Sequence, residues 1–183
     1  MSLIAGNLGF VQRLLDGSGL TWAVCAGAAA HIYGDRRPIQ DVDILVAQGT
    51  LSQVVQLLQA AQKAVQFDGQ RIIWRGIKVF DDLSVRKAGM THTIQLDQPM
   101  LAHLRRHPLL GAPVHVQSPE DVLAHKVLLS RGAEQNKHDL ADAQGIIRRQ
   151  RIDVAYLKER LLLWNAPASV SDKLKEMGVA LDG

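Results

Sequence analysis

The sequence predicts an α/β fold, with a small mixed β-sheet flanked by helices and continued by a C-terminal helical extension. Three observations carry that expectation. Through the first 117 residues, short β-type runs alternate with stretches of helical periodicity. From Ser118 onward the composition changes and every periodic stretch reads as helix. Apolar residues make up 47% of the 183 positions and aromatics are few, so the chain can bury an aliphatic core of one-domain size. The expected division is an α/β core over 1–117 and a helical part over 118–183 that packs on it.

The elements follow in order. Leu8, Val11, Leu14 and Leu15 recur at helical spacing, and Gly17 to Gly19 ends that helix. Thr21 to Cys25 is a short β-type run, Ala28 to Tyr33 a short helix closed by Gly34, and Asp41 to Ala47 the next strand. Leu51 to Lys63 is an amphipathic helix. Arg71–Trp74, Ile77–Phe80 and Thr91–Leu96 read as strands, Pro99–Arg106 as a helical turn ended by Pro108, and Val114–Val116 as an extended piece. Ser118-Pro119-Glu120-Asp121 has an N-cap, a proline at the first helical position and an acid three residues after the cap. Helices are then expected over 119–131, 137–149, 153–163 and 168–177.

Composition narrows the class of protein. The lone Cys25 cannot form an internal disulfide and reads as a small buried hydrophobe. No stretch approaches the ~20 apolar residues of a membrane span, and Met1 to Phe10 lacks the basic start of a secretion signal. A cytoplasmic, soluble protein without a membrane partner is expected. The net charge of +3 suits an anionic substrate or RNA without singling out either.

The chemistry concentrates in residues 24–43. A short apolar strand leads into the small-residue turn Ala26-Gly27-Ala28, a brief helix ends at Gly34, and Arg36-Arg37 precede Asp41-Val42-Asp43. On a strand, residues i and i+2 share a face about 7 Å apart along the chain. Two carboxylates so placed form a natural grip for a divalent cation. Gly27 would let a phosphate chain approach the backbone, where a helix start offers unpaired N–H groups. Arg37 could hold a triphosphate oxygen in its guanidinium fork.

This stretch resembles the nucleotidyltransferase fold shared by DNA polymerase β, antibiotic adenylyltransferases and AbiEii/AbiGii-type toxins. Those proteins carry a Gly-Gly or Gly-Ser turn, a short helix, an arginine-containing loop and Asp-x-Asp opening a strand. Ala26 stands near their first glycine or serine, and Ile39 where many have threonine. The resemblance implies that Asp41 and Asp43 bind two Mg²⁺ (or Mn²⁺) ions. A third carboxylate from a neighbouring strand, Asp81 or Asp82, would serve as ligand or general base.

In the helical half, Ser118 to Lys126 resembles an AbiEii-like segment in which a Pro-Glu-Asp helix start precedes a lysine. Lys126 leaves an apolar face made by Val122, Leu123 and Leu129, so its stem either snorkels outward or enters a cleft to meet nucleotide phosphate. Arg131, Lys137, Asp139 and Asp142 resemble an Arg…Lys-x-Asp-x-x-Asp signature. For the two acids, ion pairing with Lys126 or Arg131 stands beside a role in shaping the nucleotide pocket. His103 and His107 read as a surface pair, and Arg148, Arg149 and Arg151 as a solvated helix end.

The implied activity is metal-dependent transfer of a nucleoside monophosphate from an NTP to an acceptor. That acceptor could be RNA, including tRNA, or a small molecule. The alternative is the same fold with degraded catalysis, an NTP-binding or toxin–antitoxin-type module with a cognate protein partner, which the departures at Ala26 and Ile39 favour.

Overall fold

A computed structural model describes residues 2–87, 89–135 and 137–181. It divides into two compact units. The first comprises residues 1–28, 38–83 and 95–117, and the second residues 29–37, 84–94 and 118–183. The break at 117/118 coincides with the compositional change, but the second unit also recruits two segments from the first half of the chain. The reason lies in their bonds: Asp35 pairs with Arg148 and Arg37 with Asp142, Lys87 Nζ donates to Ser130 Oγ at 2.8 Å, and His92 Nδ1 donates to Trp164 O at 3.0 Å.

The first unit is built on a seven-stranded mixed sheet. Its strands are β1 (Trp22–Cys25), β2 (Val42–Val46), β3 (Gln66–Phe67), β4 (Arg71–Trp74), β5 (Ile77–Phe80), β8 (Arg105–Leu109) and β9 (Ala112–Val116), in the order β3-β4-β5-β2-β1-β9-β8. β1 and β2 are antiparallel, whereas β2–β5 and β1–β9 are parallel. β6 (Leu83–Lys87) and β7 (Met90–Ile94) form a separate two-stranded sheet.

Helix α1 (Leu3–Ser18) is capped by the Ser2 hydroxyl, which accepts from Ala5 N at 3.3 Å, and stops at Gly19 with φ 71°. It buries Leu8, Val11 and Leu15 and packs on β5, β9 and α3 (Leu51–Ala60). α3 buries Leu51, Val54 and Leu58 at the predicted spacing. β1 is buried at all four residues, and β5 alternates between buried Ile77 and Val79 and half-buried Lys78 and Phe80.

Two expectations needed correction. Where a helical turn was expected over Pro99–Arg106, helix α4 covers only Gln98–Ala102, and Arg105–Leu109 is strand β8 with Pro108 inside it. Proline is tolerated because β8 is an edge strand, where a missing N–H costs no ladder bond. β3 and β6 were not expected: β3 has only two exposed residues, and β6 shows no clean alternation.

In the second unit, α5 (Pro119–Leu129) is buried from Pro119 through Leu128, with α6 (Asp139–Arg149), α7 (Val154–Leu163) and α8 (Ala168–Glu176) packed against it. Its apolar residues fill the centre of the group, and its buried acids and lysine are taken up by partners from the surrounding helices. The unit boundary falls within α2 (Ala26–Tyr33). No helix among the described residues is long and apolar enough to cross a membrane.

Candidate active site

Asp41 immediately precedes β2, and Asp43 lies within it. Strand periodicity places both carboxylates on one face, and each is only partly buried. The antiparallel register sets Asp43 beside Cys25, the last residue of β1, so the β1–α2 junction at Ala26 follows directly on that pair. The junction has no intervening loop, because α2 begins at Ala26 directly after β1. Ala26 makes the turn with φ 51°, the left-handed region that suits glycine. A Cβ built on Gly27 would meet nothing within 4 Å, so packing does not demand glycine and the backbone lies open to approach.

The other neighbour of Asp43 is Lys78. The parallel β2–β5 register pairs them directly, which puts both side chains on the same sheet face about 4.8 Å apart between strands. Lys78 Nζ donates to Asp41 Oδ2, and the two groups are 34% and 43% exposed. Burial pulls the lysine pKa down, but the bond to Asp41 and the charges of Asp43 and Asp41 outweigh it and hold the ammonium above its ordinary value. Arg71, the other cation acting on Lys78, is itself held by Asp68 at 3.0 Å.

Asp81 stands elsewhere. Because β2 and β5 run parallel, Asp81 follows the end of β5, three residues and about 10 Å beyond the row shared by Lys78 and Asp43. Its Oδ2 accepts from Gly49 N at 2.9 Å, bracing the turn before α3. Asp82 lies between β5 and β6. Among the described residues, no three His, Cys, Asp or Glu side chains gather into a group able to hold a metal. Lys78 is the residue the sequence reading missed. Its signal was period-2 alternation in Ile77-Lys78-Val79-Phe80, which places residue 78, not 81, on the polar face.

The residues therefore make no closed cage for two ions. Two carboxylates do suit one hard cation such as Mg²⁺, which is held by one or two acidic side chains with water and phosphate oxygens completing its shell.

Within the second unit, the residues assigned to nucleotide phosphate hold one another. Lys126 is 6% exposed, and its Nζ lies 2.9 Å from both Asp139 Oδ1 and Asp142 Oδ2. Arg131 Nε reaches Asp139 Oδ2 at 2.7 Å. Arg37 Nη2 donates to both Asp142 oxygens at 2.7 and 2.9 Å, with Nε at 3.1 Å. Three cations thus surround two buried carboxylates. The stem of Lys126 neither snorkels to solvent nor leaves the ammonium open; it runs inward to the acids of α6.

His31 Nδ1 donates to Arg37 O at 2.6 Å and fixes the loop that carries the guanidinium. Burial first, and then the Lys126 charge, push the His125 pKa down to about 4. Asp139 is held below the usual carboxylate range: burial opposes ionisation, but Arg131 and Lys126 overcome it.

Neighbouring groups serve the helices. Asp121 is completely buried, 2.7 Å from Arg160 Nε, and accepts from Ser118 Oγ at 2.8 Å and Tyr156 Oη at 3.1 Å. Glu120 accepts from Asp153 N at 2.9 Å. Gly34 does more than end α2: a Cβ there would lie 3.0 Å from Ile146 N, so the close approach of α6 requires glycine. Arg148 and Arg149 pair with Asp35 at 2.6 and 3.3 Å, while His103 caps α4 and His107 lies in β8.

Solved structures share this architecture. The antibiotic-resistance factor ANT(2'')-Ia superposes with a TM-score of 0.61 over 94% of this chain and 97% of its own, at 9% identity. The chain has the nucleotidyltransferase fold. A nucleotidyltransferase-like protein from Paracoccidioides brasiliensis gives a TM-score of 0.52 at 19% identity, covering 94% of this chain and 92% of that one. The lincosamide antibiotic adenylyltransferase LnuA gives 0.50 at 14% identity, covering 79% and 97%. No protein-family model matches the chain, and no curated protein sequence matches it.

Proposed function

We propose that this nucleotidyltransferase-fold protein transfers a nucleoside monophosphate from an NTP to an acceptor hydroxyl or phosphate, with pyrophosphate leaving. The observation that carries the reading is the placement of Asp41 and Asp43 on one open sheet face beside the β1–α2 junction. Asp41 and Asp43 would hold a Mg²⁺ or Mn²⁺ ion that neutralises phosphate charge as the bond to the leaving group breaks. The backbone at Gly27 and Ala28 faces the phosphates with the first N–H groups of α2. In this reading Asp81, which follows β5 and accepts from Gly49 N, takes no part, and Lys126 and Asp139 belong to the scaffold of their own unit. ANT(2'')-Ia has been solved with adenylyl-2''-tobramycin and LnuA with lincomycin. Those partners favour ATP and a small hydroxylated acceptor over tRNA.

The test is Mg²⁺-dependent transfer of label from each α-labelled NTP to a panel of hydroxylated acceptors, with Asp43→Ala as control. Label transfer that survives intact in Asp43→Ala rules the assignment out.

The contact between Lys78 and Asp41 favours a second reading, in which the fold binds NTP without catalysis and serves as an interaction module of the AbiEii/AbiGii toxin–antitoxin kind. NTP binding with no label transfer to any acceptor, and a partner protein that co-purifies with the chain, support this second reading.

A further inference from the structure

We propose that Lys78 is a tethered cation that fills the metal position at Asp41 and Asp43 until an anionic phosphate group draws it away, so that divalent metal and nucleotide bind jointly and not in sequence. This rests on the assignment of Asp41 and Asp43 as the metal-holding pair. Its own support is the strand register, which fixes Lys78 in the row of Asp43, and the bond from Lys78 Nζ to Asp41 Oδ2.

The argument is one of charge and space. Two carboxylates and one ammonium leave a net charge of −1 at the pair. A free divalent ion arriving there must displace the ammonium from Asp41 and then sit within a few ångströms of it. The side chain is 34% exposed, so it can swing off the acid, but alone in water it gains no replacement partner. A metal–triphosphate complex supplies one, since a phosphate oxygen can take the ammonium while the two carboxylates turn to the metal. Binding energy for each ligand thus depends on the other, and the coupling is reciprocal. Neighbouring groups do not replace this role, because Arg71 is occupied by Asp68.

The experiment uses the full chain, Mn²⁺ as metal probe and the non-hydrolysable analogue α,β-methylene-ATP, with affinities from calorimetry and from the electron spin resonance of free Mn²⁺. In the unmodified protein, each ligand should tighten the other by about tenfold or more. Equal Mn²⁺ affinity with and without the analogue overturns the proposal without reference to any variant. Lys78→Met should bind Mn²⁺ alone about tenfold tighter and lose most of the coupling, whereas Lys78→Arg should keep it. Adding Asp43→Asn to Lys78→Met should abolish the gain. Mn²⁺ affinity within twofold of the unmodified protein in a folded Lys78→Met also overturns the proposal. Failure of label transfer with the coupling intact counts against the transferase assignment alone.

Discussion

Replacing Lys126 by methionine separates two roles for this residue. Methionine keeps the apolar stem and removes the charge. Lys126 Nζ sits 2.9 Å from one oxygen of each of two carboxylates, with side-chain exposures of 7% for the lysine and 3% for each acid. At an effective dielectric of about 20, each such pair attracts by roughly 6 kcal/mol at this distance, against a desolvation cost of several kcal/mol for the ammonium. Breaking a buried pair by removing one partner typically costs about 3–5 kcal/mol. Asp139 keeps Arg131 and Asp142 keeps Arg37, so the lower end applies, about 3 kcal/mol. For a chain of this length that corresponds to a melting temperature lower by about 6–12 °C. The measurement is urea unfolding followed by far-UV circular dichroism, with nucleotide binding measured in parallel. A loss below about 1 kcal/mol together with weakened nucleotide binding would refute the scaffold assignment and return Lys126 to the phosphate, since surface charges contribute only that much.

Two further outcomes follow from the same structure. His125 is neutral in the fold because its pKa is lowered to about 4 from the usual 6.5, whereas the unfolded chain takes up the proton below 6.5. Its contribution is therefore complete above pH 6.5 and declines as pH falls toward 4, by at most about 3 kcal/mol. The slope of urea midpoint against pH should flatten in His125→Gln, and an unchanged slope would show that another group titrates. Ala26→Gly should raise stability by about 1 kcal/mol by relieving the left-handed turn at φ 51°, measured as a higher melting temperature. A decrease would show that the α2 start gains more from alanine than the strained backbone loses.

Much of the fold was legible because its signals are local. Ser118-Pro119-Glu120-Asp121 announced α5 by cap chemistry, and the spacing of Leu8, Val11 and Leu15 announced α1. The placement of Asp41 and Asp43 on one face also needed only the two-residue period of a strand. The expectation for Asp81 rested on proximity along the chain, where it directly follows an apolar run. The parallel pairing of β2 with β5 sends that residue to the opposite end from Asp41. Pro108 misled for a similar reason: its effect depends on whether the strand lies at a sheet edge.

By itself, then, the sequence determined the succession of elements, the compositional break at Ser118 and the paired acids beside a small-residue turn, because periodicity and capping act within a few residues. Only the tertiary structure decided which cation faces those acids and which carboxylates hold Lys126. Both depend on strand register and on helix packing between residues 13 to 37 positions apart, and no local pattern encodes which of several charged side chains will meet.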